Sequence, residues 1–128
     1  MRILHMEDHA GWTDLVQEFL NDHDVTSVGN AIEGLQLFEH TRPDLVIVDS
    51  EMPGMSGVQA IAALVERGYP PSHILMFSAS LCADTQAQAT ALGATFLAKN
   101  EGSQLPTVVA TLWQVVVGQA TPVEPSGQ

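Results

Sequence analysis

The chain has 128 residues, enough for one domain, and 45% of them are hydrophobic, which is sufficient for a core. Four basic residues against 15 acidic ones give a formal net charge of −11, so binding to nucleic acid or to an anionic membrane lacks its electrostatic driving force. Cys82 is the only cysteine, which excludes an internal disulfide and suits a reducing compartment. No apolar stretch approaches the roughly 20 residues needed to span a bilayer, and the N-terminus lacks the apolar segment of a signal peptide, so we expect a cytoplasmic protein.

The first strand and the first helix are separated by an acidic pair. Residues 3–6 form a short apolar stretch that predicts a strand, and Glu7 and Asp8 follow it directly. Apolar residues then recur at the i, i+3, i+4, i+7 and i+8 spacing of an amphipathic helix. This predicted apolar stripe consists of Trp12, Leu15, Val16, Phe19 and Leu20.

The second strand and helix give weaker signals. Residues 25–28 predict a strand, and Asn30 followed three places later by Glu33 resembles a capping box at the start of a helix. The helix is expected to run to about His40, before Pro43 separates it from the next strand. Its assigned apolar positions are Ile32, Leu35 and Phe38.

Residues 45–48 give the clearest strand signal in the chain. Their sequence LVIV is a continuous apolar run, typical of a parallel strand that is buried on both faces. Asp49 stands at the carboxyl end of this strand, where open parallel sheets bind their ligands. A Met-Pro-Gly turn at residues 52–54 precedes Ser56, the predicted N-cap of a third helix that ends at Gly68. The apolar stripe predicted for that helix is Val58, Ile61, Ala62 and Val65.

Two further strand and helix pairs complete the predicted domain. Residues 73–77 predict a strand that ends at Ser78, and residues 81–92 predict a helix with a weak apolar stripe. Residues 94–98 predict a fifth strand, which ends at Lys99. The last helix has Pro106 in its first turn and an apolar stripe of Leu105, Val108, Val109, Leu112, Val115 and Val116. We expect one domain over residues 1–120, followed by a tail at 121–128 with the composition of a linker.

Five alternations of strand and helix predict an α/β fold in which helices cover both faces of a five-stranded parallel sheet. The carboxyl ends of parallel strands share one edge, so Glu7, Asp8, Asp49, Ser78 and Lys99 are expected to converge there. Three carboxylates in one place repel each other unless a cation offsets them, and Mg²⁺ prefers such oxygen ligands. Lys99, the only lysine in the chain, supplies a charge suited to a phosphoryl oxygen. The set therefore predicts phosphoryl transfer onto an aspartate.

With these residues in place, the chain resembles the receiver domain of a two-component response regulator, over residues 2–119. The matching features are Glu7-Asp8, the stretch DSEMPGMSG from Asp49, Ser78-Ala79 after the fourth strand, and the sequence FLAK that ends at Lys99. The resemblance implies a doubly wound (βα)5, flavodoxin-like fold. It implies a phosphorylation-dependent signalling switch that is not otherwise an enzyme. Its expected partner is a histidine kinase or a histidine phosphotransfer protein.

The resemblance also implies roles for individual residues. Asp49 would accept the phosphoryl group, with Lys99 and Ser78 assisting. Asp8 and Asp49 would bind Mg²⁺ directly, Glu7 mostly through water, and the backbone carbonyl of Glu51 would supply the remaining protein ligand. Ser78 and Phe96 would move on phosphorylation.

Two positions depart from the family pattern. Asn100 follows Lys99 where the family usually has proline, often after a cis bond, so we expect a trans bond here. The subgroup of receivers linked to helix-turn-helix DNA-binding domains often lacks that proline, and its acidic pair is often followed by histidine, as His9 follows here. The first acid is Glu7 where Asp is commoner, and its longer side chain is expected to shift the ion.

Other interpretations of these residues stay open at this point. The acids could be solvated loop residues, and His5 and His9 beside them could indicate a transition-metal site, although His5 is expected to pack within its strand. Asp49-Ser50-Glu51 is faintly similar to the Asp-x-Asp of haloacid-dehalogenase-like phosphohydrolases, but it lacks the second Asp. A flavin-binding or purely structural domain of the same fold is a third alternative, yet no phosphate-binding loop follows the first strand.

The last helix predicts a contact surface. Because its apolar stripe fills the core-facing side, Trp113 and Val117, four residues apart, are expected to lie together on an exposed flank. The resemblance points to the same face, formed by the fourth helix, fifth strand and fifth helix, as the one used for dimers or partners. The alternative is that Trp113 covers the edge of the core.

Overall fold

The structure is a computed structural model that describes residues 1–80 and 82–120. Strands and helices alternate along the chain as β1 Arg2–Met6, α1 Ala10–Phe19, β2 Asp24–Val28, α2 Ala31–Thr41, β3 Leu45–Val48, α3 Gly57–Glu66, β4 Ile74–Ser78, α4 Ala83–Ala91, β5 Thr95–Ala98 and α5 Leu105–Ala120. Short 3₁₀ segments precede β4 and α5, at Pro71–His73 and Lys99–Gln104. Each predicted strand and helix is present, and the strand ends lie within one residue of the predicted ones.

The five strands form one parallel sheet in the order β2-β1-β3-β4-β5. This arrangement confirms the predicted doubly wound parallel α/β fold. The change of strand order between β1 and β3 places their carboxyl ends side by side, which is where folds of this kind bind ligands.

Successive residues of β3 serve two separate cores. Val46 and Val48 join the core beneath α2, α3 and α4, whereas Leu45 and Ile47 join the core beneath α1 and α5. All four β3 side chains are completely buried, as the apolar run predicted. Asp49 directly follows this completely buried strand, which fixes the position of its backbone.

Two of the predicted helix starts are confirmed by their hydrogen bonds. The Ser56 hydroxyl accepts from the Gln59 backbone N–H, and the Gln59 side chain accepts from the Ser56 N–H, so α3 begins with a complete capping box. Asn30 caps α2 by accepting from the Glu33 N–H at 2.8 Å. Pro106 lies in the first turn of α5, as expected. α4 begins at Ala83 after Cys82, and Leu81, the predicted start, lies outside the described residues.

The predicted apolar stripes of three helices need correction. Leu15 and Ile32 are 39% and 51% exposed, whereas the other stripe residues of α1 and α2 are buried or half-buried. In α2, Ala31 and Gly34 lie on the buried face in place of Ile32. In α3 the buried face is Gly57, Ala60, Ile61 and Leu64, while Val58, Ala62 and Val65 are only half-buried.

The reason for the shift in α3 is the close approach of its first turn to the end of β3. A Cβ atom at Gly57 would overlap the Asp49 carbonyl oxygen, and the Gly57 N–H donates to the Ser50 carbonyl at 2.9 Å. That contact turns the face containing Gly57, rather than the face containing Val58, toward the sheet.

Within residues 1–80 and 82–120, no helix combines the length and the apolarity needed to cross a membrane. The predicted tail at 121–128 lies outside the described residues.

Candidate functional site

Polar residues at the carboxyl ends of four strands meet at one edge of the sheet. Glu7, Asp49, Ser78 and Lys99 are all buried there, with exposed fractions between 0% and 8%. The Glu7 N–H donates to the Val28 carbonyl at 2.9 Å, and the Asp49 N–H donates to the Met6 carbonyl at 3.0 Å. Because these bonds continue the parallel ladder past the strand ends, they position both carboxylates rigidly.

Three carboxylates cluster at this edge. Glu7, Asp8 and Asp49 each offer an oxygen that lies within 4.8 Å of the others, with Asp8 exposed to solvent and the other two buried. An all-oxygen donor set with one solvent-facing member suits a hard divalent cation that keeps part of its water shell. The predicted convergence of the acids is therefore present, and the residues fit Mg²⁺.

Lys99 supplies the positive charge on the other side of the cluster. Its Nζ donates to Glu7 Oε1 at 2.6 Å and lies 3.5 Å from Asp49 Oδ1. The side chains of Lys99 and Glu7 are only 5% and 1% exposed, so their charges are paired almost without solvent. The charge of Lys99 is thus directed at the acids rather than at the surface.

The electrostatic surroundings shift two neighbouring groups. Burial raises the pKa of Glu7, and Asp49 adds to this, while the hydrogen bond from Lys99 opposes it. Burial, together with the charge of Lys99, lowers the pKa of His5 to about 4, so this imidazole is neutral at pH 7. His5 packs within β1 and its Nδ1 lies 3.1 Å from the Ser27 hydroxyl. His9 is exposed, and its backbone N–H donates to Glu7 Oε2 at 3.2 Å.

Two serines, Ser50 and Ser78, connect Asp49 to the end of β4 through hydrogen bonds. The Ser50 N–H donates to Asp49 Oδ1 at 2.9 Å, and the Ser50 and Ser78 hydroxyls are hydrogen-bonded to each other. Ser78 also accepts from the Ser80 N–H at 2.9 Å. Sequence reasoning gave Ser50 no role, since a single polar residue after a strand carries no periodic signal.

Trp12 is a second residue whose place was missed. Its ring lies 4.9 Å from Lys99 Nζ and makes an edge contact with Phe77, whose ring centroid is 5.6 Å away. The spacing of apolar residues assigned Trp12 to the helix stripe, and only the tertiary packing of α1 brings its ring to Phe77 of β4 and to Lys99. Trp12 and Met52 help to line an open pocket of about 570 Å³ above the acids.

The other expected site residues lie near this pocket or behind it. Glu51 is exposed and lines the pocket. Phe96 is half-buried against the core and pairs in register with Met76. The bond between Lys99 and Asn100 is trans, as predicted. On α5, Trp113 and Val117 are 37% and 38% exposed, as predicted for a flank rather than for the core.

Fold and site together define a class of α/β domain with an acidic, lysine-containing site at the carboxyl edge of a parallel sheet. The family model of the response regulator receiver domain matches residues 3–110. The chain therefore belongs to the response regulator receiver domain family, as its resemblance implied.

Relatives of known function contain this domain as one part of longer chains. A Koribacter versatilis protein-glutamate methylesterase/protein-glutamine glutaminase is 32% identical over 111 residues, covering 82% of this chain and 31% of the relative. The enzyme of the same name from a Nocardioides species is 37% identical over 98 residues, covering 73% of this chain and 26% of the relative. The chain thus spans less than a third of the length of these two relatives.

Solved receiver domains share the fold closely. A signal receiver domain from Vibrio parahaemolyticus superposes with a TM-score of 0.85 at 25% identity, covering 93% of this chain and 94% of that one. The chemotaxis protein CheY4 of Vibrio cholerae gives a TM-score of 0.74 at 26% identity, covering 89% of this chain and 97% of that one.

Proposed function

We propose that this receiver domain is a phosphorylation-dependent switch in which Asp49 accepts a phosphoryl group from a histidine kinase or a histidine phosphotransfer protein. The observation that carries the proposal is the placement of Lys99 Nζ, 2.6 Å from Glu7 and 3.5 Å from Asp49, beside three carboxylates. A buried cation next to a carboxylate that borders an open pocket is suited to a group arriving with negative charge.

In the proposed reaction, an Asp49 oxygen forms a bond to phosphorus while the bond from phosphorus to the donor's imidazole nitrogen breaks. The imidazole leaves with the electron pair of that bond. Lys99 then faces a phosphoryl oxygen, and the backbone N–H of Ser50 keeps the Asp49 carboxylate oriented through its 2.9 Å bond. The Ser78 hydroxyl is proposed as a donor to the phosphoryl group.

The proposed metal is Mg²⁺, held directly by Asp8 and Asp49, through water by Glu7, and by the backbone carbonyl of Glu51. When bound, it neutralises charge on the carboxylates and on the phosphoryl oxygens. Glu7 already accepts a hydrogen bond from Lys99 Nζ at 2.6 Å, which supports an indirect role for Glu7 in binding the metal.

The proposed output is a change in the face formed by α4, β5 and α5, linked to Asp49 through Ser78 and Phe96. Trp113 and Val117 give this face an exposed apolar pair, which supports its use for a partner or a dimer. For the receiver domain matched at residues 3–110, we propose no enzymatic activity beyond self-phosphorylation and self-dephosphorylation at Asp49. We propose that it acts in the cytoplasm, without direct contact to nucleic acid or membrane.

The test is intact-mass measurement after incubation with Mg²⁺ and acetyl phosphate. Wild type is expected to gain the mass of one phosphoryl group, and Asp49→Asn or EDTA is expected to abolish the gain. Asp22→Asn is the matched control, because the Asp22 side chain is 80% exposed in a loop and should label normally. Equal labelling of Asp49→Asn and wild type would show that the acceptor is elsewhere. Sustained turnover of a free phosphomonoester would instead indicate a hydrolase.

A further inference from the structure

The Ser50 and Ser78 hydroxyls form a hydrogen-bonded pair behind the phosphoacceptor carboxylate. Val48 and Met76 form the last residue pair between β3 and β4. Ser50 lies two residues after Val48 and Ser78 lies two residues after Met76, so the two serines stand opposite each other. Both are buried, at 5% and 0% exposure. A hydrogen bond between two side chains on neighbouring strand ends links the positions of those ends.

Ser50 contacts both Asp49 and Ser78. Its backbone N–H donates to Asp49 Oδ1, while its hydroxyl meets that of Ser78. On its other side, Ser78 pairs in register with Ala98, the residue directly before Lys99. Ser78 therefore stands between the strand that carries Asp49 and the strand that carries Lys99, and Ser50 is its hydroxyl partner.

Each hydroxyl has one hydrogen to donate, which limits how the pair can bond. The Ser80 N–H already donates to Ser78 Oγ, and a hydroxyl that accepts a hydrogen bond becomes a better donor. Ser78 is completely buried, so its hydrogen needs an acceptor within the protein. Ser50 lines the open pocket beside Asp49, where its own hydrogen meets polar surroundings. The favoured direction is therefore from Ser78 to Ser50.

We infer that Ser50 is a positioning residue that holds the hydroxyl hydrogen of Ser78 in the unphosphorylated protein and opposes its donation to a phosphoryl oxygen on Asp49. This inference rests on the proposed function of Asp49 and Ser78. For the phosphoryl group to accept a hydrogen bond from Ser78, the neutral bond between Ser78 and Ser50 must break. A stronger, charge-assisted bond from Ser78 to a phosphoryl oxygen then replaces it. Ser50 thereby sets how readily the switch turns on.

The test is the affinity of the full chain for beryllofluoride with Mg²⁺, a stable substitute for the phosphoryl group, measured by isothermal titration calorimetry. Ser50→Ala removes the competing acceptor and is expected to bind about threefold to tenfold more tightly, the equivalent of one neutral hydrogen bond. In a Ser78→Ala background, the same Ser50→Ala change is expected to have no effect. Ser103→Ala removes the same atom from an exposed serine and serves as the control.

Several outcomes would overturn the inference. Unchanged or weaker binding by Ser50→Ala would show that Ser50 does not restrain Ser78. An equal effect with and without Ser78 would place the action of Ser50 elsewhere. Ser50→Cys keeps the side-chain size but offers a weak acceptor, so it should tighten binding as well even if Ser50→Ala unfolds. If wild type neither labels on Asp49 nor binds beryllofluoride, the proposed function and this inference both fail. If wild type labels and binds, but the Ser50 variants bind beryllofluoride with the affinity of wild type, this inference alone fails.

Discussion

Replacing Lys99 by Met removes a buried cation and leaves a buried carboxylate behind. Glu7 is 3% exposed, and the 2.6 Å bond from Lys99 is what opposes the effect of burial on its pKa. Without Lys99, burial and Asp49 both push that pKa further above its ordinary value of 4.5. The folded variant is therefore expected to keep Glu7 protonated up to a higher pH than wild type does.

The cost of Lys99→Met depends on that protonation. Removing one partner of a buried ion pair typically costs about 3–5 kcal/mol, and proton uptake by Glu7 offsets part of the cost of its unpaired charge. A carboxyl whose pKa is raised by folding stabilises the native state below its unfolded pKa, and this stability is lost as the pH rises through the folded pKa. Because the pKa of Glu7 is raised in wild type as well, the deficit of the variant should grow only above the folded pKa of wild-type Glu7, by up to about 1.4 kcal/mol per pH unit.

Urea unfolding in EDTA at pH 5, 6 and 7, followed by circular dichroism, measures this deficit. Arg67→Met is the matched control, since the Arg67–Glu39 pair has a similar distance of 2.9 Å but side chains that are 41% and 48% exposed. It should cost less than about 1 kcal/mol at every pH. Adding Glu7→Gln to Lys99→Met should restore most of the loss and remove its pH dependence. If Lys99→Met costs no more than Arg67→Met at pH 7, or if its cost does not change with pH, Lys99 does not compensate a buried charge on Glu7.

Three other changes test separate parts of the molecule. Asp8→Asn is expected to raise the melting temperature in EDTA by relieving carboxylate repulsion, and Mg²⁺ should stabilise it less than wild type; equal stabilisation would place the ion elsewhere. Gly57→Ala must displace the Asp49 carbonyl, so it should lower the free energy of unfolding by about 1–3 kcal/mol and slow Asp49 labelling, whereas Gly29→Ala, with no atom nearby, should do neither. Trp113→Ala should weaken self-association or partner binding of the phosphorylated protein, measured by analytical ultracentrifugation, and leave labelling unchanged; a variant that unfolds without a selective loss of association would show that Trp113 only covers the core.

The parts of the fold that could be predicted are those with local signals. The LVIV run of β3 is buried on both faces whatever surrounds it, and the Ser56 capping box forms within a single turn. The buried face of α3 could not be read in this way, because the contact of Gly57 with the end of β3 decides it. Val58 and Val65 are more apolar than Gly57, so a stripe chosen by hydrophobicity alone selects the wrong face.

The residues of the candidate site also fall into those that the sequence could predict and those that depend on tertiary contacts. Strand order placed the acids, Ser78 and Lys99 at one edge, because parallel strands share their carboxyl ends. Ser50 was missed because its role depends on which side chain of β4 stands opposite it. Trp12 was missed because its contacts with Lys99 and Phe77 depend on how α1 packs in the folded domain. Partners across strands and helices are set by tertiary register, which no spacing within one element reveals.

Glu7 stands where the family more often has Asp, and its longer side chain makes a close ion pair with Lys99. The longer side chain reaches the Lys99 ammonium at 2.6 Å, whereas Asp49 lies 3.5 Å from it. One Glu7 oxygen is thus taken by Lys99, and the other accepts the His9 N–H at 3.2 Å. Asp8, exposed and close to Asp49, has no such competing cation within the described cluster. A carboxylate already paired with an ammonium is the poorer ligand, which supports the proposal that Asp8 and Asp49 would contact a divalent ion directly and that Glu7 would chiefly hold Lys99 beside Asp49.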